Sequence, residues 1–249
     1  MAFFFLLFKQ FPFFVAIRIL CVESMRRLFD RFGEMGYADA GEDRLVAAFF
    51  PTPGFYVDVG CNHPVDYSNT FMLYKRGWHG INIDANANLI ELHRRLKPKD
   101  QSIFAAIAQH QQTLTYTQFE GETLMASLDP EFVRTRVANG LRIRSESVLK
   151  TQTLTEVLVQ SHAPNRFELL NVDVEGLDLE VLKSLDFDQF RPRMIVVEIL
   201  GYDLENYSSE PIFEFLSTKG YRLAGYTHMN AIFIERNSAT PASKTSTDH

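Results

Sequence analysis

Phe55-Tyr56-Val57-Asp58-Val59-Gly60-Cys61-Asn62 is an apolar run that stops abruptly at an acid, a glycine and an asparagine. Its aromatic and β-branched residues, in so short a run, predict a strand buried on both faces. Gly60 stands at the carboxyl end, where a residue without Cβ bends freely and lets a ligand approach the backbone. In open α/β sheets ligands bind outside the carboxyl ends of the strands. A carboxylate followed by a glycine turn at such a place suits a cationic group or ribose hydroxyls.

Downstream residues extend the pattern. Ser68 to Arg76 carries Phe71, Met72, Leu73 and Tyr74, an apolar face suited to a helix, and Gly77 closes it. Gly80-Ile81-Asn82-Ile83-Asp84 is a second short apolar strand that again ends in an acid. Asp84 follows Gly60 at close to the roughly 20-residue offset at which a strand-end acid meets a ribose hydroxyl in dinucleotide folds. Together these pieces form a nucleoside-binding βαβ unit. The turn itself reads Gly60-Cys61-Asn62-His63-Pro64-Val65, so the second and third glycines of a pyrophosphate loop are absent. That disfavours a dehydrogenase and suits a nucleoside without phosphates, of which S-adenosylmethionine is the common one.

Several ordered motifs then carry a family resemblance. Asp58-Val59-Gly60-Cys61-Asn62-His63-Pro64, Ser68-Asn69-Thr70 and Gly77-Trp78-His79-Gly80-Ile81-Asn82-Ile83-Asp84 resemble the FkbM family of S-adenosylmethionine-dependent methyltransferases. Asn171-Val172-Asp173-Val174-Glu175-Gly176 resembles that family's Lys-Ile-Asp-Val-Glu-Gly signature, with Asn and Val at its first two positions. Ile195-Val196-Val197-Glu198-Ile199 resembles its next strand, and Gly41-Glu42-Asp43 an element that precedes the first strand in one branch. The resemblance runs from about Tyr37 to Ile234.

It implies an α/β fold of the class I methyltransferase (Rossmann-like) type, a mostly parallel seven-stranded sheet with a terminal antiparallel hairpin. It implies S-adenosyl-L-methionine as cofactor and O-methylation of a hydroxylated small molecule or glycan. It places Asp58, Gly60 and Asn62 along the methionine part and Asp84 on the ribose, with Ser68 also among the cofactor-binding residues. Ala105, Ala106 and Ile107 pass near the adenine, and Asp173 and Glu175 face the acceptor. Glu175 also suits a helix start for electrostatic reasons alone. His63, in the binding turn, is a candidate ligand contact or base. Asp173 and Glu198 end neighbouring strands and are expected to converge, since adjacent strands lie about 4.8 Å apart. Two such acids serve as a metal-free general base or share a hard divalent cation. The metal-free form is expected, because no third ligand has convincing spacing. A non-catalytic ligand-binding or membrane-associated module that kept the fold is the other reading, and the intact acids Asp58, Asp84, Asp173 and Glu198 weigh against it.

Composition bounds the rest. A chain of 249 residues, 46% of them hydrophobic, makes one sizeable domain with or without an appendage. A net charge of −6 argues against a broad nucleic-acid footprint. The two cysteines, Cys21 and Cys61, have no paired spacing, which excludes a disulfide scaffold and a cysteine zinc site and fits a reducing, cytoplasmic compartment. Residues 1–36 form an apolar N-terminal segment, 37–236 the methyltransferase domain, and 237–249 a polar tail expected to be disordered.

Phe3 to Phe8 and Phe11 to Ile17 are apolar runs split by Pro12, and neither reaches the roughly 18–20 residues of a spanning helix. Three readings stay open for residues 1–22. They are an interfacial anchor that touches a membrane peripherally with Lys9, Arg18, Arg26 and Arg27 against anionic lipid, a helix packed on protein, and an upstream-extended start. Arg26 to Phe50 reads as helical, with a break at Gly33-Glu34-Met35-Gly36. Gln101 to Ala108 reads as a third strand and Leu114 to Phe119 as an edge strand. Ser127 to Lys150, with Arg134, Arg136, Arg142, Arg144 and Lys150, reads as an inserted rim loop, either solvated or a clamp for an anionic substrate such as a phosphate-linked sugar.

Overall fold

The computed structural model describes residues 12–30, 36–121, 125–199, 201, 203 and 205–236. The Phe3–Phe8 run, positions 33–35 of the expected break and the 237–249 tail lie outside the described residues. The N-terminal half runs α1 (Phe13–Asp30), α2 (Glu42–Phe49), β1 (Phe55–Val59), α3 (Phe71–Lys75), β2 (His79–Asp84), α4 (Ala87–Leu96), β3 (Gln101–Phe104), β4 (Ala106–Ile107) and β5 (Thr113–Phe119). The remainder runs α5 (Pro130–Ala138), β6 (Ile143–Gln152), α6 (Leu154–Gln160), β7 (Arg166–Val172), α7 (Asp178–Lys183), β8 (Arg191–Glu198), α8 (Pro211–Thr218), β9 (Tyr221–Tyr226) and β10 (Asn230–Glu235).

Seven strands form one sheet in the order β3-β2-β1-β7-β8-β10-β9. The first five are parallel, and β10 runs antiparallel to both β8 and β9, so the terminal hairpin closes the edge as expected. Side chains alternate between the two faces. Val57, Leu170, Ile195 and Phe233 pack with Leu154 and Leu158 of α6 and Leu216 of α8. Tyr56, Leu169, Val196 and Ile232 pack on the other face with Val46 of α2 and with Phe71, Leu73 and Trp78. Asp58, Asn171, Glu198 and Asn230 share the parity of this second set, so all four side chains stand on one face near the carboxyl ends of the parallel strands.

Local chemistry sets several boundaries. The Asn86 side chain accepts the Asn88 N–H and starts α4. Thr153 and Glu156 form a reciprocal capping box that starts α6. Gly77, at φ +94°, ends α3.

Three sequence expectations need correction. The third strand stops at Phe104, and Ala106 and Ile107 leave the main sheet to pair in parallel with Thr151 and Gln152. The strand expected at the sheet edge, observed as β5, belongs instead to a second sheet of order β4-β6-β5. Ser127 to Lys150 is not a loop. Asp129 caps α5 with Pro130 in its first turn, and the ten-residue β6 then pairs antiparallel with β5 from Thr113↔Lys150 to Phe119↔Ile143. β6 is exposed along most of its length, so it carries no apolar alternation to mark it as a strand.

α1 begins directly after Pro12, whose carbonyl accepts the Val15 and Ala16 N–H groups. Ala16, Ile19 and Leu20 pack on Leu92 and Leu96 of α4. Glu23 is buried, accepting from the Tyr37 hydroxyl at 2.7 Å and from Lys75 Nζ at 2.7 Å. The remaining surface of α1 leaves Phe13, Phe14, Val15, Ile17, Val22 and Met25 exposed. Among the described residues no helix is long and apolar enough to cross a membrane.

Candidate active site

A cavity of about 320 Å³ opens at the carboxyl ends of β1, β2, β7 and β8. Gly60 forms its floor at φ +74°, and a Cβ there would lie 1.7 Å from the Asp173 carbonyl oxygen. Only glycine therefore allows β1 and the segment after β7 to close together. The Asp173 N–H donates back to the Val59 carbonyl at 3.0 Å, which fixes the acid's position.

Asp58 is held by a buried polar network. Its Oδ1 accepts from Asn171 Nδ2 at 2.9 Å and its Oδ2 from Thr70 Oγ1 at 2.6 Å. Asn69 Nδ2 donates to Asn171 Oδ1 at 3.0 Å. Lys97, fully buried at the end of α4, donates to Thr70 Oγ1 at 2.7 Å and to Asn82 Oδ1 at 3.3 Å. Burial lowers the Lys97 pKa, while Asp58 and Asp100 act in the opposite direction and favour its charge.

Asp84 accepts the Asn62 N–H at 2.9 Å and the Asn86 N–H at 2.7 Å, so it organises the turns after β1 and β2 as well as lining the cavity. Burial pushes its pKa up to about 6 against the opposing pull of those two N–H groups. His93 Nε2 lies 2.9 Å from the Asn62 carbonyl, and burial followed by the Lys97 charge lowers its pKa to about 3. A neutral His93 donating to that carbonyl braces Asn62, which sits at φ +42°.

At the other end of the cavity Asp173, Glu175 and Glu198 converge. One carboxylate oxygen from each lies within 4.8 Å of the others. Burial, then the neighbouring Glu198 and Glu175 charges, hold Asp173 well above the usual carboxylate range. Burial and the Asp178 charge raise Glu175 to about 7, and burial with the Glu175 and Asp178 charges raises Glu198 to about 8. The Arg136 guanidinium opposes both shifts. Asp178 anchors the loop instead of facing the acids' shared space, accepting from the Val174 and Gly176 N–H groups at 3.1 and 3.2 Å.

The insertion reaches this end. Ser127 Oγ donates to the Glu175 carbonyl at 2.6 Å, and Gly176 lies against Asp129 and Phe132. α5 thereby brings Arg136 to the cavity wall. Of the five basic residues singled out between positions 134 and 150, Arg136 lines the cavity, whereas Arg134 pairs with Glu131 on the surface.

Of the residues anticipated from sequence, Asp58, Gly60, Asn62, Ser68, Asp84, Ala105, Ile107, Asp173, Glu175 and Glu198 all line the cavity. Ser68 does so while its Oγ accepts the Phe71 N–H at 3.1 Å at the start of α3. Two residues stand apart from the cavity lining. Ala106, between Ala105 and Ile107 in an extended segment, faces the other way and packs with Tyr116 and Leu128. His63 Nδ1 accepts the Asp66 N–H at 2.9 Å and the Val65 N–H at 3.3 Å, so that nitrogen shapes a turn, and the ring lines a separate cavity beside α1. Burial lowers the His63 pKa, with Asp66 opposing. Asn69, Asn171 and Asn230 are further lining residues that sequence reasoning did not single out as site residues.

These features fit S-adenosylmethionine. Gly60 lines the cavity with bare backbone, Asp58 and Asp84 offer carboxylates to cationic and hydroxyl groups, and Ile83, Ala105 and Ile107 form an apolar wall. The fold and site define a class I S-adenosylmethionine-dependent methyltransferase. Residues 58–223 match the Methyltransferase FkbM domain. The chain belongs to the FkbM methyltransferase family, and S-adenosylmethionine is its methyl donor.

No curated protein sequence matches the chain. Among solved structures, a TehB-like S-adenosylmethionine-dependent methyltransferase from Corynebacterium glutamicum ATCC 13032 Kitasato is 13% identical with a TM-score of 0.40, over 86% of this chain and 96% of that one. Monomeric WbdD is 11% identical with a TM-score of 0.41, over 84% of this chain and 44% of that one. The bifunctional kinase-methyltransferase WbdD in another structure gives 11% and 0.39, over 78% and 37%. The chain thus spans less than half of WbdD. These likenesses are weak, and membership rests on the family match.

Proposed function

We propose that the protein methylates a hydroxyl oxygen of a sugar, glycan or natural product. The observation that supports this is the convergence of Asp173, Glu175 and Glu198 at one end of the cofactor cavity. A hydroxyl becomes a good nucleophile only as it sheds its proton. A base whose pKa lies near the working pH takes that proton most effectively, and burial and mutual repulsion move these carboxyls toward that range. When bound, S-adenosylmethionine supplies a methyl group activated by its sulfonium. The chain's own contribution is to hold the acceptor oxygen in line, take its proton at the carboxylate group around Asp173, and exclude water. Arg136 at the wall suits an acceptor with a nearby anionic group, such as a phosphate-linked sugar.

Contact with a membrane surface at the cytoplasmic side, through residues 1–22, belongs to the same proposal. Its support is the exposed apolar surface of α1.

The test is transfer of an isotopically labelled methyl group from S-adenosylmethionine to glycan and lipid extracts, with mass spectrometry to locate the label. Label on a carbohydrate or natural-product oxygen supports the reading. Label on nitrogen or carbon, or no transfer by protein that binds the cofactor, overturns it.

A further inference from the structure

Asn230 opens β10 directly opposite Glu198 in the antiparallel register, and opposed residues of such a pair project from the same face. The residue is only 7% exposed and lines the cavity that holds the three acids. Its Nδ2 is committed, donating to Glu42 Oε1 at 3.0 Å. Glu42, itself fully buried, also accepts the Thr227 hydroxyl and the Ala40 N–H, so it pins the amide in place. This orientation turns the amide oxygen away from Glu42, and Asn230 Oδ1 is buried with no hydrogen-bond partner. A buried polar atom without a partner normally costs free energy. Asn230 lines the same cavity as Glu198, Asp173 and Glu175, and a carboxylate in its ionised form is an acceptor that does not satisfy an amide oxygen.

Three carboxylates thus converge, and the unpartnered amide oxygen belongs to a residue that lines the same cavity and pairs with Glu198 across the sheet, which makes four hard oxygen donors. Three like charges so close repel one another, and Arg136 stands at the wall beside Glu175 and Glu198. The cluster contains no histidine or cysteine, which would draw zinc or copper. Hard divalent cations take carboxylate and carbonyl oxygens at about 2.0–2.6 Å, so ligands on opposite sides of one ion are separated by about 4–5 Å. The 4.8 Å spread of the three carboxylate oxygens fits that span.

We propose that Asp173, Glu175, Glu198 and the Asn230 amide oxygen bind one hard divalent cation at the acceptor end of the cavity. The class is that of magnesium, manganese or calcium, with open coordination positions left for water or an acceptor hydroxyl. The site is defined by its donors and does not depend on which atom is methylated. Its use, gripping the acceptor oxygen and making its proton easier to remove, rests on the O-methyl reading above.

The test uses the full chain, stripped with chelator and titrated with manganese followed by electron paramagnetic resonance, then with magnesium and calcium in competition. One manganese ion per chain is expected. Glu175→Gln, at the cavity wall, is expected to weaken it by at least about tenfold, with S-adenosylmethionine affinity and the melting transition retained. Asn230→Asp, which keeps the oxygen and adds charge, is expected to tighten it or leave it unchanged, whereas Asn230→Leu weakens it. No binding up to about 1 mM manganese, or binding indifferent to both Glu175→Gln and Asn230→Leu, overturns the proposal. The two readings fail separately. Methyl transfer to oxygen that persists in chelator, with no manganese bound, removes the cation and keeps the O-methyl assignment. A bound ion that responds to the variants, with label arriving on nitrogen, keeps the cation site and removes that assignment.

Discussion

Asp58 and Lys97 meet through a single hydroxyl: Thr70 Oγ1 donates to Asp58 Oδ2 at 2.6 Å and accepts from Lys97 Nζ at 2.7 Å. The cation comes from the end of α4 and the carboxylate from the middle of the sheet. Removing one charge of a buried ionic group strands the other, at about 3–5 kcal/mol. Lys97→Met is therefore expected to lower unfolding stability by about that amount and to weaken cofactor binding. Denaturant titration and calorimetry check it, and a stability within experimental error of the parent protein would exclude Lys97 from this role.

Gly60→Ala tests the floor of the cavity. The left-handed backbone at φ +74° would cost an L-residue about 1–2 kcal/mol. The added Cβ would also overlap the Asp173 carbonyl oxygen, which is backbone and has little freedom to move. Loss of cofactor binding and a lowered melting temperature are expected together. A variant that titrates normally with S-adenosylmethionine would contradict the geometry.

Asp173→Asn keeps the shape and removes the charge. Turnover is expected to fall by roughly 10²–10⁴-fold, the usual loss with a general base, while cofactor affinity changes little. Steady-state kinetics beside a binding titration separates the two effects. Near-normal turnover would take Asp173 out of the chemistry.

Stability should depend on pH in an unusual direction. Folded, Asp84 holds its proton to about pH 6, Glu175 to about 7 and Glu198 to about 8. Unfolded, the same groups lose theirs near their ordinary values of 3.8 and 4.5. Between these limits the folded chain binds more protons, so stability falls as pH rises. In chelator and without cofactor, the melting temperature is expected to decline from pH 5 to pH 8, less steeply in Glu198→Gln. A flat or rising profile would mean that these carboxyls are not held protonated.

Phe13 and Phe14 are 62% and 83% exposed, so Phe13→Ser with Phe14→Ser should leave the fold unchanged. Binding to vesicles containing anionic lipid is expected to weaken substantially in the double variant. Unchanged cosedimentation would place any membrane contact elsewhere.

Much of the fold is legible in the sequence because β1, β2, β7 and β8 are buried and apolar, and each carries an acid at or next to its carboxyl end: Asp58 one residue before the end of β1, Asp84 and Glu198 as the last residues of β2 and β8, and Asp173 directly after β7. In the second sheet β5 is legible as a strand, whereas β6 is not, since β6 is exposed along most of its length. Its only local signals are the Asp129-Pro130 cap and the Asn139-Gly140 turn. At the site, strand ends reveal Asp58, Asp84, Asp173 and Glu198. Asn171 carried a hint, because two residues before Asp173 along a strand is the same face. Thr70 lay in the Ser68-Asn69-Thr70 motif without a role assigned to it, and Lys97 and Asn230 offered no signal, being single polar residues that only the tertiary fold brings to the site. Where the resembled signature has lysine, this chain has Asn171, and the positive charge near Asp58 comes from Lys97 instead.

The bond from Ser127 to the Glu175 carbonyl ties the insertion to the carboxylates it overhangs. On the proposed reading, the segment that contacts the acceptor also seats an acid that serves its proton, and it carries Arg136, which tunes that acid. Acceptor choice and working pH are then inherited as one trait. A chimera that borrows the stretch between Ala108 and Thr153 from a relative would import both, and could change its acceptor only by also shifting its pH optimum.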